Sequence, residues 1–321
     1  MRHVVVTDHK FSSLERERTI AEQAGASFTV HQATTEDELL QITQGADVLL
    51  VSQAPITAQV LSGLAPEATV VRYGIGVETV HLDAARRLGV RVCNVPDYGA
   101  ETVADHTITL ALASIRRIVE FDHLVRTSKG GWVHAGQTEP IPSLSEMTVG
   151  LIGVGQIGTM VARRFQAFNS RVIAADPYAD PRLLAEASIE LAEMPELLAQ
   201  ADLISLHTPL TPDTHHLLNE ETVSRTKEGA ILVNTARGGL VDTVAAADLV
   251  SRGHLGALAF DVFDPEPLGA DHPLREAPRT ILTPHAAFYS ERSVRNLQRL
   301  AAEEMGRALR GETLRCEVRY G

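Results

Sequence analysis

The sequence predicts an α/β protein with two parallel sheets, and three observations support this fold class. Short β-branched runs alternate with amphipathic helical patterns along almost the whole chain. The runs hold four to six apolar residues without clean alternation, as in strands covered on both faces. The series stops at a loop-like stretch and restarts at residue 148, which indicates two α/β units.

The first series supplies strand-like runs that read HVVVTD, ADVLLVS, TVVRYG and VRVCNV. Helical patterns such as 36–44 and 57–64 separate them. One long helical stretch follows, from Glu101 to Arg126. After it comes TSKGGWVHAGQTEPIPS (127–143), whose glycine, proline, serine and threonine content is typical of a loop.

The second series begins at TVGLIG (148–153). It continues through RVIAAD, DLISLHTP, AILVNTA, LGALAFDV and TILTP. The last segment, SERSVRNLQRLAAEEMGRALRG, is helical by its spacing and charge pattern. These patterns do not show where that final helix packs.

Length and composition exclude several classes of protein. A chain of 321 residues with 44% hydrophobic and 22% charged residues suits about two globular domains. A net charge of −12 argues against binding nucleic acid or an anionic membrane. The two cysteines, Cys93 and Cys316, lack metal-ligand spacing, so no metal site is predicted. The N-terminal apolar run is too short for a signal-peptide core, and we expect a soluble cytoplasmic protein.

A glycine loop follows the first strand of the second series. Gly153, Gly155 and Gly158 have the G-x-G-x-x-G spacing between a predicted strand and a predicted helix. Gly153 permits the tight turn, Gly155 lets the backbone approach a pyrophosphate, and Gly158 allows close packing of helix and strand. The N–H groups of the helix N-terminus suit phosphates. The motif therefore predicts a Rossmann-like, dinucleotide-binding unit.

Asp176 supplies the second part of this fingerprint, at the end of the next strand in RVIAADPY. A carboxylate there accepts hydrogen bonds from the adenosine ribose hydroxyls and repels a 2′-phosphate. Neither arginine nor lysine follows at once, since Pro177 and Tyr178 come next. We therefore predict NAD rather than NADP, the alternative being an aspartate that only caps a strand-end turn.

Four charged or titratable residues follow consecutive predicted strands of the second series. Arg237 ends AILVNTA, Asp261 and Glu266 lie in FDVFDPEP, and His285 follows TILTP. Ligands of open α/β sheets bind beyond the carboxyl ends of the strands, so we expect Arg237, Glu266 and His285 to face one site. A buried guanidinium requires a carboxylate of the protein or of a ligand.

These three residues suit the reduction of a 2-keto acid. A guanidinium binds the substrate carboxylate and polarises the carbonyl. An imidazolium donates a proton to the carbonyl oxygen as hydride arrives from the cofactor. A carboxylate behind the histidine favours the imidazolium. Each residue alone is more often a surface or paired charge, and only their convergence beside the glycine loop favours catalysis.

The sequence resembles the D-isomer-specific 2-hydroxyacid dehydrogenase family over essentially its whole length. The resemblance rests on NTARGGLVD, ALAFDVFDPEP, TPHAAFYS and VVRYGIGVETVHLDAARRLGVRVCNVP. Within the family, VRYGIG, VPDYGAETVADHT and HAAFYSE are most similar to the C-terminal-binding-protein branch. The resemblance implies that Arg237, Glu266 and His285 are catalytic.

The resemblance also implies the domain organisation. It implies two Rossmann-like or flavodoxin-like parallel-sheet domains, with the NAD-binding domain (99–289) inserted into a discontinuous substrate domain (1–98 and 290–321). It further implies a homodimer formed through the NAD-binding domain. The apolar helix at 101–126 suits that interface, although it suits the core equally well.

The resemblance implies further site residues. On the cofactor side they are Gly153, Gly155, Gln156, Ile157, Gly158, Asp176, Thr208, Pro209, Thr235, Ala236, Arg237, Asp261, His285 and Thr102. Asp261 is expected to orient the nicotinamide carboxamide, and His207 is expected to pack rather than react. On the substrate side they are Arg72, Tyr73, Gly74, Ile75, Gly76, Arg237 and Phe288, with the backbone of 73–76 receiving the substrate carboxylate. Arg72 also suits a surface ion pair.

The predicted function is an NAD-dependent D-2-hydroxyacid dehydrogenase that acts mainly as a 2-keto-acid reductase. Phe288 stands where the corepressor-like branch usually has tryptophan, so that branch's preference for a thioether keto acid does not carry over. One alternative is an NAD(H)-sensing scaffold like the transcriptional corepressors. Another is oxidation of phosphoglycerate or phosphite, which would need more cations than Arg72. Formate dehydrogenation is disfavoured because Glu266 stands where those enzymes have an amide.

Overall fold

The computed structural model describes residues 1–127, 132 and 139–318. Its strands are β1 (His3–Val6), β2 (Ser27–Val30), β3 (Val48–Val51), β4 (Thr69–Arg72), β5 (Arg91–Cys93), β6 (Thr148–Ile152), β7 (Arg171–Ala175), β8 (Glu190–Leu191), β9 (Leu203–Leu206), β10 (Ala230–Asn234), β11 (Leu255–Phe260) and β12 (Thr280–Leu282). Its α-helices are α1 (Glu15–Gln23), α2 (Glu36–Ile42), α3 (Ala58–Ser62), α4 (Leu82–Leu88), α5 (Ala100–Ile115), α6 (Ile118–Thr127), α7 (Gln156–Ala167), α8 (Pro181–Glu186), α9 (Met194–Gln200), α10 (Glu220–Val223), α11 (Thr243–Ser251) and α12 (Glu291–Arg310). None of the helices in this part of the chain combines the length and the apolar character needed to cross a bilayer.

The chain divides into two compact units. The first unit runs from Met1 to Gly99 and resumes at Ser290, and the second unit is Ala100–Tyr289. Every strand pair in both sheets is parallel, as expected when helical crossovers cover both faces. The predicted fold class is therefore confirmed, while the substrate-binding role of the first unit stays a prediction.

The first unit has the doubly wound strand order β2-β1-β3-β4-β5, as in flavodoxin-like folds. The amphipathic helix α12 packs with α1 on one face of this sheet, where Leu297 and Met305 are buried against Val4 and Val6. The other face is covered by α2, α3 and α4. The sequence patterns missed β2, because its residues SFTV hold only two apolar side chains and lie at the sheet edge.

The second unit has the strand order β12-β11-β10-β9-β6-β7-β8. Counted from β6, this is the Rossmann order 3-2-1-4-5-6 with one more strand at the far edge. Two apolar clusters cover its faces, one including α5 and α7 and the other including α9 and α11. The strand order reverses between β6 and β9, which is where ligands of such sheets bind.

The single helix predicted at 101–126 is wrong, because the structure contains two helices there. Arg117 has a left-handed backbone with φ of +51° and separates α5 from α6. Its guanidinium donates to the Glu139 carboxylate over 2.7 Å, although neither glycine nor proline marks the break. The sequence pattern therefore carries no signal for this break. The predicted loop at 127–143 lies largely outside the described residues.

Candidate active site

The glycine loop joins β6 to α7 and leaves space for a ligand at one position only. A Cβ atom on Gly153, where φ is +94°, would lie 2.7 Å from the His207 carbonyl oxygen. A Cβ atom on Gly158 would lie 2.3 Å from the Gly153 carbonyl oxygen. A Cβ atom on Gly155 would meet nothing within 4 Å. Two glycines therefore serve close packing, and the third, the N-cap of α7, leaves its backbone open to a phosphate.

Asp176 follows β7 and is hydrogen-bonded to the glycine loop. Its Oδ2 accepts the Val154 N–H over 2.9 Å, and its Oδ1 accepts the Tyr178 N–H over 2.9 Å. Asp176 thus caps the strand-end turn, and each oxygen keeps a lone pair for another donor. Both interpretations of this aspartate are compatible with this geometry. Gln156 and Ile157 lie in the first turn of α7, beside the loop.

Arg237 lies just beyond β10, in a turn held by a buried amide. The Asn234 side chain is fully buried; its Nδ2 donates to the Arg237 carbonyl over 2.8 Å, and its Oδ1 accepts the Ala236 N–H over 3.0 Å. The Arg237 Nη1 donates to the Ala236 carbonyl over 2.7 Å. Sequence reasoning missed Asn234. The available signal was an amide that ends an otherwise apolar strand, VNTA.

Glu266 and His285 form a hydrogen-bonded pair. Glu266 Oε2 lies 2.7 Å from His285 Nδ1, and Glu266 Oε1 accepts the Phe263 N–H over 3.0 Å. Partial burial by itself would raise the pKa of Glu266. The hydrogen bonds from His285 and Phe263, together with the charge of Arg237, hold that pKa below its usual value. The carboxylate is therefore ionised behind an imidazole that is 43% exposed.

The loop that carries His285 is organised around a fully buried carboxylate, that of Asp261. Asp261 Oδ1 accepts from the Thr283 hydroxyl over 2.5 Å and from the Ala286 N–H over 2.8 Å. Its Oδ2 accepts the Ala287 N–H over 2.8 Å. His285 itself has a φ of +51°, a strained conformation often found at functional sites. Asp261 thus supports the His285 loop, and its predicted contact with a carboxamide stays a prediction.

The other residues predicted on the cofactor side lie at or near the carboxyl edge of the same sheet. Thr208 and Pro209 follow β9, and Thr235 and Ala236 follow β10. The Thr235 hydroxyl lies 2.8 Å from that of Thr107 on α5, the helix that also carries Thr102. The residues near the carboxyl ends of these strands thus include those that the sequence predicted on the cofactor side.

His207 and Phe288 lie next to these elements. Burial lowers the pKa of His207 to about 4, and its Nε2 lies 3.0 Å from the Ser205 hydroxyl. His207 is therefore neutral near pH 7, which suits the packing role expected of it. The Phe288 ring lies edge-on to the His285 imidazole, with 6.3 Å between the ring centroids.

The predicted carboxylate-binding loop of the first unit follows β4, and part of its backbone is already hydrogen-bonded. The Tyr73 N–H donates to the Val51 carbonyl over 2.8 Å, and the Gly74 N–H donates to the Arg72 carbonyl over 3.0 Å. The strand end thus already uses these two N–H groups, and the substrate-binding role of the loop stays a prediction. Within the described residues, the N–H groups of Ile75 and Gly76 have no partner. The Arg72 Nη1 donates to the Tyr73 carbonyl over 2.6 Å.

The fold and this set of residues define the class of protein as an α/β protein with a dinucleotide-binding unit. The sequence profile of the "D-isomer specific 2-hydroxyacid dehydrogenase, NAD binding domain" matches residues 108–287. The chain belongs to the D-isomer-specific 2-hydroxyacid dehydrogenase family. The predicted family and the predicted cofactor, NAD, are confirmed, while the corepressor-like branch stays a prediction.

Three similar proteins illustrate the range of the family. The D-3-phosphoglycerate dehydrogenase of Mycobacterium tuberculosis is 39% identical over 286 residues, 89% of this chain and 53% of that protein. The glyoxylate reductase of Thermofilum pendens is 34% identical over 284 residues, 87% of this chain and 83% of that protein. The crystal structure of D-lactate dehydrogenase from Aquifex aeolicus, complexed with NAD and lactic acid, superimposes with a TM-score of 0.87, 27% identity and 96% coverage of both chains. The chain spans about half the length of the phosphoglycerate dehydrogenase.

Proposed function

We propose that the protein is an NAD-dependent D-2-hydroxyacid dehydrogenase that acts mainly as a 2-keto-acid reductase. The observation that carries the proposal is the 2.7 Å contact between Glu266 and His285, close enough to Arg237 for the arginine's charge to lower the pKa of Glu266. An acid-base histidine, its carboxylate and a guanidinium at the carboxyl edge of a dinucleotide-binding sheet suit an anionic carbonyl substrate.

The residues present fit a bound dinucleotide. The open backbone at Gly155 suits the pyrophosphate, and the free lone pairs of Asp176 suit the ribose hydroxyls. When bound, the reduced cofactor supplies the hydride. Asp176 supports NAD over NADP, because a carboxylate repels a 2′-phosphate.

The protein's own groups would handle the proton and the charge. The Nδ1 atom of His285 faces Glu266, which leaves Nε2 to hold the proton that the substrate oxygen takes up. The anionic Glu266 stabilises the imidazolium before transfer. The Arg237 guanidinium would bind the substrate carboxylate and polarise the carbonyl. In the oxidation direction, His285 accepts the hydroxyl proton.

Phosphoglycerate oxidation is the second candidate, because a relative that is 39% identical carries that name. Glyoxylate reduction, the activity named for the Thermofilum relative, agrees with the first candidate. A corepressor-like scaffold would bind NADH without turning over any of these acids. The two enzyme candidates therefore differ in the acid that they turn over, whereas the scaffold turns over none.

A spectrophotometric screen of NADH oxidation tests the proposal. The panel is glyoxylate, pyruvate, hydroxypyruvate, phenylpyruvate, a branched keto acid and 3-phosphohydroxypyruvate. We expect turnover of at least one unphosphorylated acid, and a fall in kcat/KM of about 10²- to 10⁴-fold in His285→Ala and Arg237→Ala with NADH binding retained. Turnover of the phosphorylated acid alone favours the second candidate. Tight NADH binding without any turnover favours the scaffold.

We also propose a homodimer formed through the second unit. Helix α6 exposes Ile118, Val119 and Val125 by 55% to 57%, whereas α5 buries one face in the core. Exposed apolar side chains of this kind suit an interface between copies of the chain. Sedimentation velocity should show a dimer, and Val119→Glu with Val125→Glu should shift it toward monomer. Cytoplasmic localisation stays a prediction.

A further inference from the structure

The carboxylate of Asp261 is buried and depends on hydrogen-bond donors to offset its loss of solvation. Its side chain has no solvent exposure, and removing a carboxylate from water costs several kcal/mol unless it is hydrogen-bonded or paired. Two of its donors are the N–H groups of Ala286 and Ala287, which belong to the loop after His285. The Asp261 carboxylate therefore holds this loop by two hydrogen bonds.

His106 reaches this carboxylate through the Thr283 hydroxyl. The Thr283 hydroxyl donates its single proton to Asp261 Oδ1 over 2.5 Å. The same hydroxyl lies 3.1 Å from His106 Nε2, so the threonine oxygen must accept a proton held on that nitrogen. His106 Nε2 also lies 3.6 Å from Asp261 Oδ1. The order of donation is thus His106 to Thr283 to Asp261.

This network joins α5 to the loop with the strained histidine. His106 lies on α5, and its side chain is only 23% exposed. The His285 N–H donates to the Asp261 carbonyl over 2.7 Å, and the backbone of His285 holds a φ of +51°. A strained conformation persists only where surrounding contacts impose it. Here those contacts run from the Asp261 carboxylate through the Thr283 hydroxyl to His106.

We propose that His106 is a positioning residue of the active site, which holds Thr283 and, through it, the Asp261 carboxylate, so that the His285 loop keeps one conformation. The proposal rests on the proposed function for its catalytic consequence, but not for its structural one. His106 does not transfer a proton to the substrate. It acts through the orientation of His285.

The test compares three variants. His106→Leu removes the donor, and His106→Gln keeps an N–H donor at a similar reach. His254→Leu is the matched control, because His254 Nε2 also contacts a threonine hydroxyl, that of Thr226 over 3.2 Å, but near the amino ends of β10 and β11. We expect His106→Leu to lower kcat about tenfold, the loss typical of a hydrogen bond to a charged network.

Hydrogen–deuterium exchange of the peptide 283–289 supplies a readout that does not depend on activity. In His106→Leu, the Ala286 and Ala287 amides should exchange about tenfold faster than in the wild type. His106→Gln should restore most of the protection and most of kcat, and His254→Leu should change neither.

Unchanged protection in His106→Leu overturns the proposal, as does a kcat no lower than that of His254→Leu. If His106→Leu does not fold, Thr283→Val takes its place, with Thr283→Ser as its restoring variant. Should the wild type turn over none of the keto acids, the proposed function fails, and the exchange rates alone decide the role of His106.

Discussion

A Cβ atom on Gly238 would lie 2.0 Å from the carbonyl carbon of Phe263, so these two residues are in direct backbone contact. Gly238 follows Arg237, and the Phe263 N–H binds the Glu266 carboxylate. The contact therefore sets the spacing between the turn that carries the arginine and the turn that carries the glutamate. A side chain at position 238 would separate them.

Gly238→Ala should accordingly reduce both stability and activity. The added methyl group meets backbone rather than a flexible side chain, and overpacking of this kind costs about 1–3 kcal/mol. A shift of about 1 Å at Glu266 would lower kcat/KM by about 10²-fold. Thermal unfolding and steady-state kinetics check both. The control is Gly269→Ala, where a Cβ atom meets nothing within 4 Å. Equal effects in the two variants would contradict the assigned role of the contact.

Glu266→Gln should change the pH dependence of reduction. The pKa of Glu266 is below its usual value, so the carboxylate is ionised throughout the range of the assay and favours the imidazolium of His285. Glutamine keeps an oxygen for the Phe263 N–H but has no charge. The decline of kcat/KM with rising pH should therefore begin at lower pH, with activity at pH 7 reduced about 10- to 100-fold. A profile from pH 5 to 9 that superimposes on that of the wild type would remove Glu266 from the proton-transfer step.

The sequence predicted six of the seven strands of the second unit, all but the two-residue β8, and the positions of Arg237, Glu266 and His285 beyond strand ends. It could do so because uninterrupted apolar runs and glycine spacing are local signals. The break at Arg117 was missed because neither glycine nor proline lies at it. The edge strand β2 was missed because an edge strand needs few apolar residues.

The sequence could not show which backbone N–H groups already donate a hydrogen bond within the protein. The pattern YGIG suggested four backbone donors, yet Tyr73 and Gly74 already donate to carbonyls of the first unit. Asn234 and His106 were likewise missed, since a single amide or imidazole in a sequence does not reveal its partner. Both act on the site through another residue. Sequence patterns thus predict the functional residues at strand ends better than the residues that hold those functional residues in place.

Asp176→Asn should weaken the discrimination between the two nicotinamide cofactors. The amide oxygen can still accept the Val154 N–H of the glycine loop, while the bond from the Tyr178 N–H and the charge that repels a 2′-phosphate are lost. The ratio of kcat/KM for NADH to that for NADPH should fall by about tenfold or more. Measurement of both cofactors in wild type and variant checks this. A wild type that uses NADPH with a KM close to that for NADH would contradict the NAD preference itself.

Glu17→Gln should stabilise the protein at neutral pH and not in acid. Glu17 is fully buried; its Oε1 accepts the Tyr73 hydroxyl over 2.9 Å, and in the described residues its Oε2 has no partner. Burial raises the pKa of Glu17 although the bonds from Tyr73 and Gln298 oppose it. For an acid with a raised pKa, the stabilising contribution is present below its unfolded pKa, about 4.3, and is lost as the pH rises through the folded pKa. The wild type should therefore unfold more easily than Glu17→Gln at pH 7, with the difference shrinking toward pH 4.5.

Urea unfolding at several pH values measures this difference in the free energy of unfolding. The control is Glu22→Gln, at an exposed position of the same helix. A difference that grew in acid would show that Glu17 is stabilised as an anion.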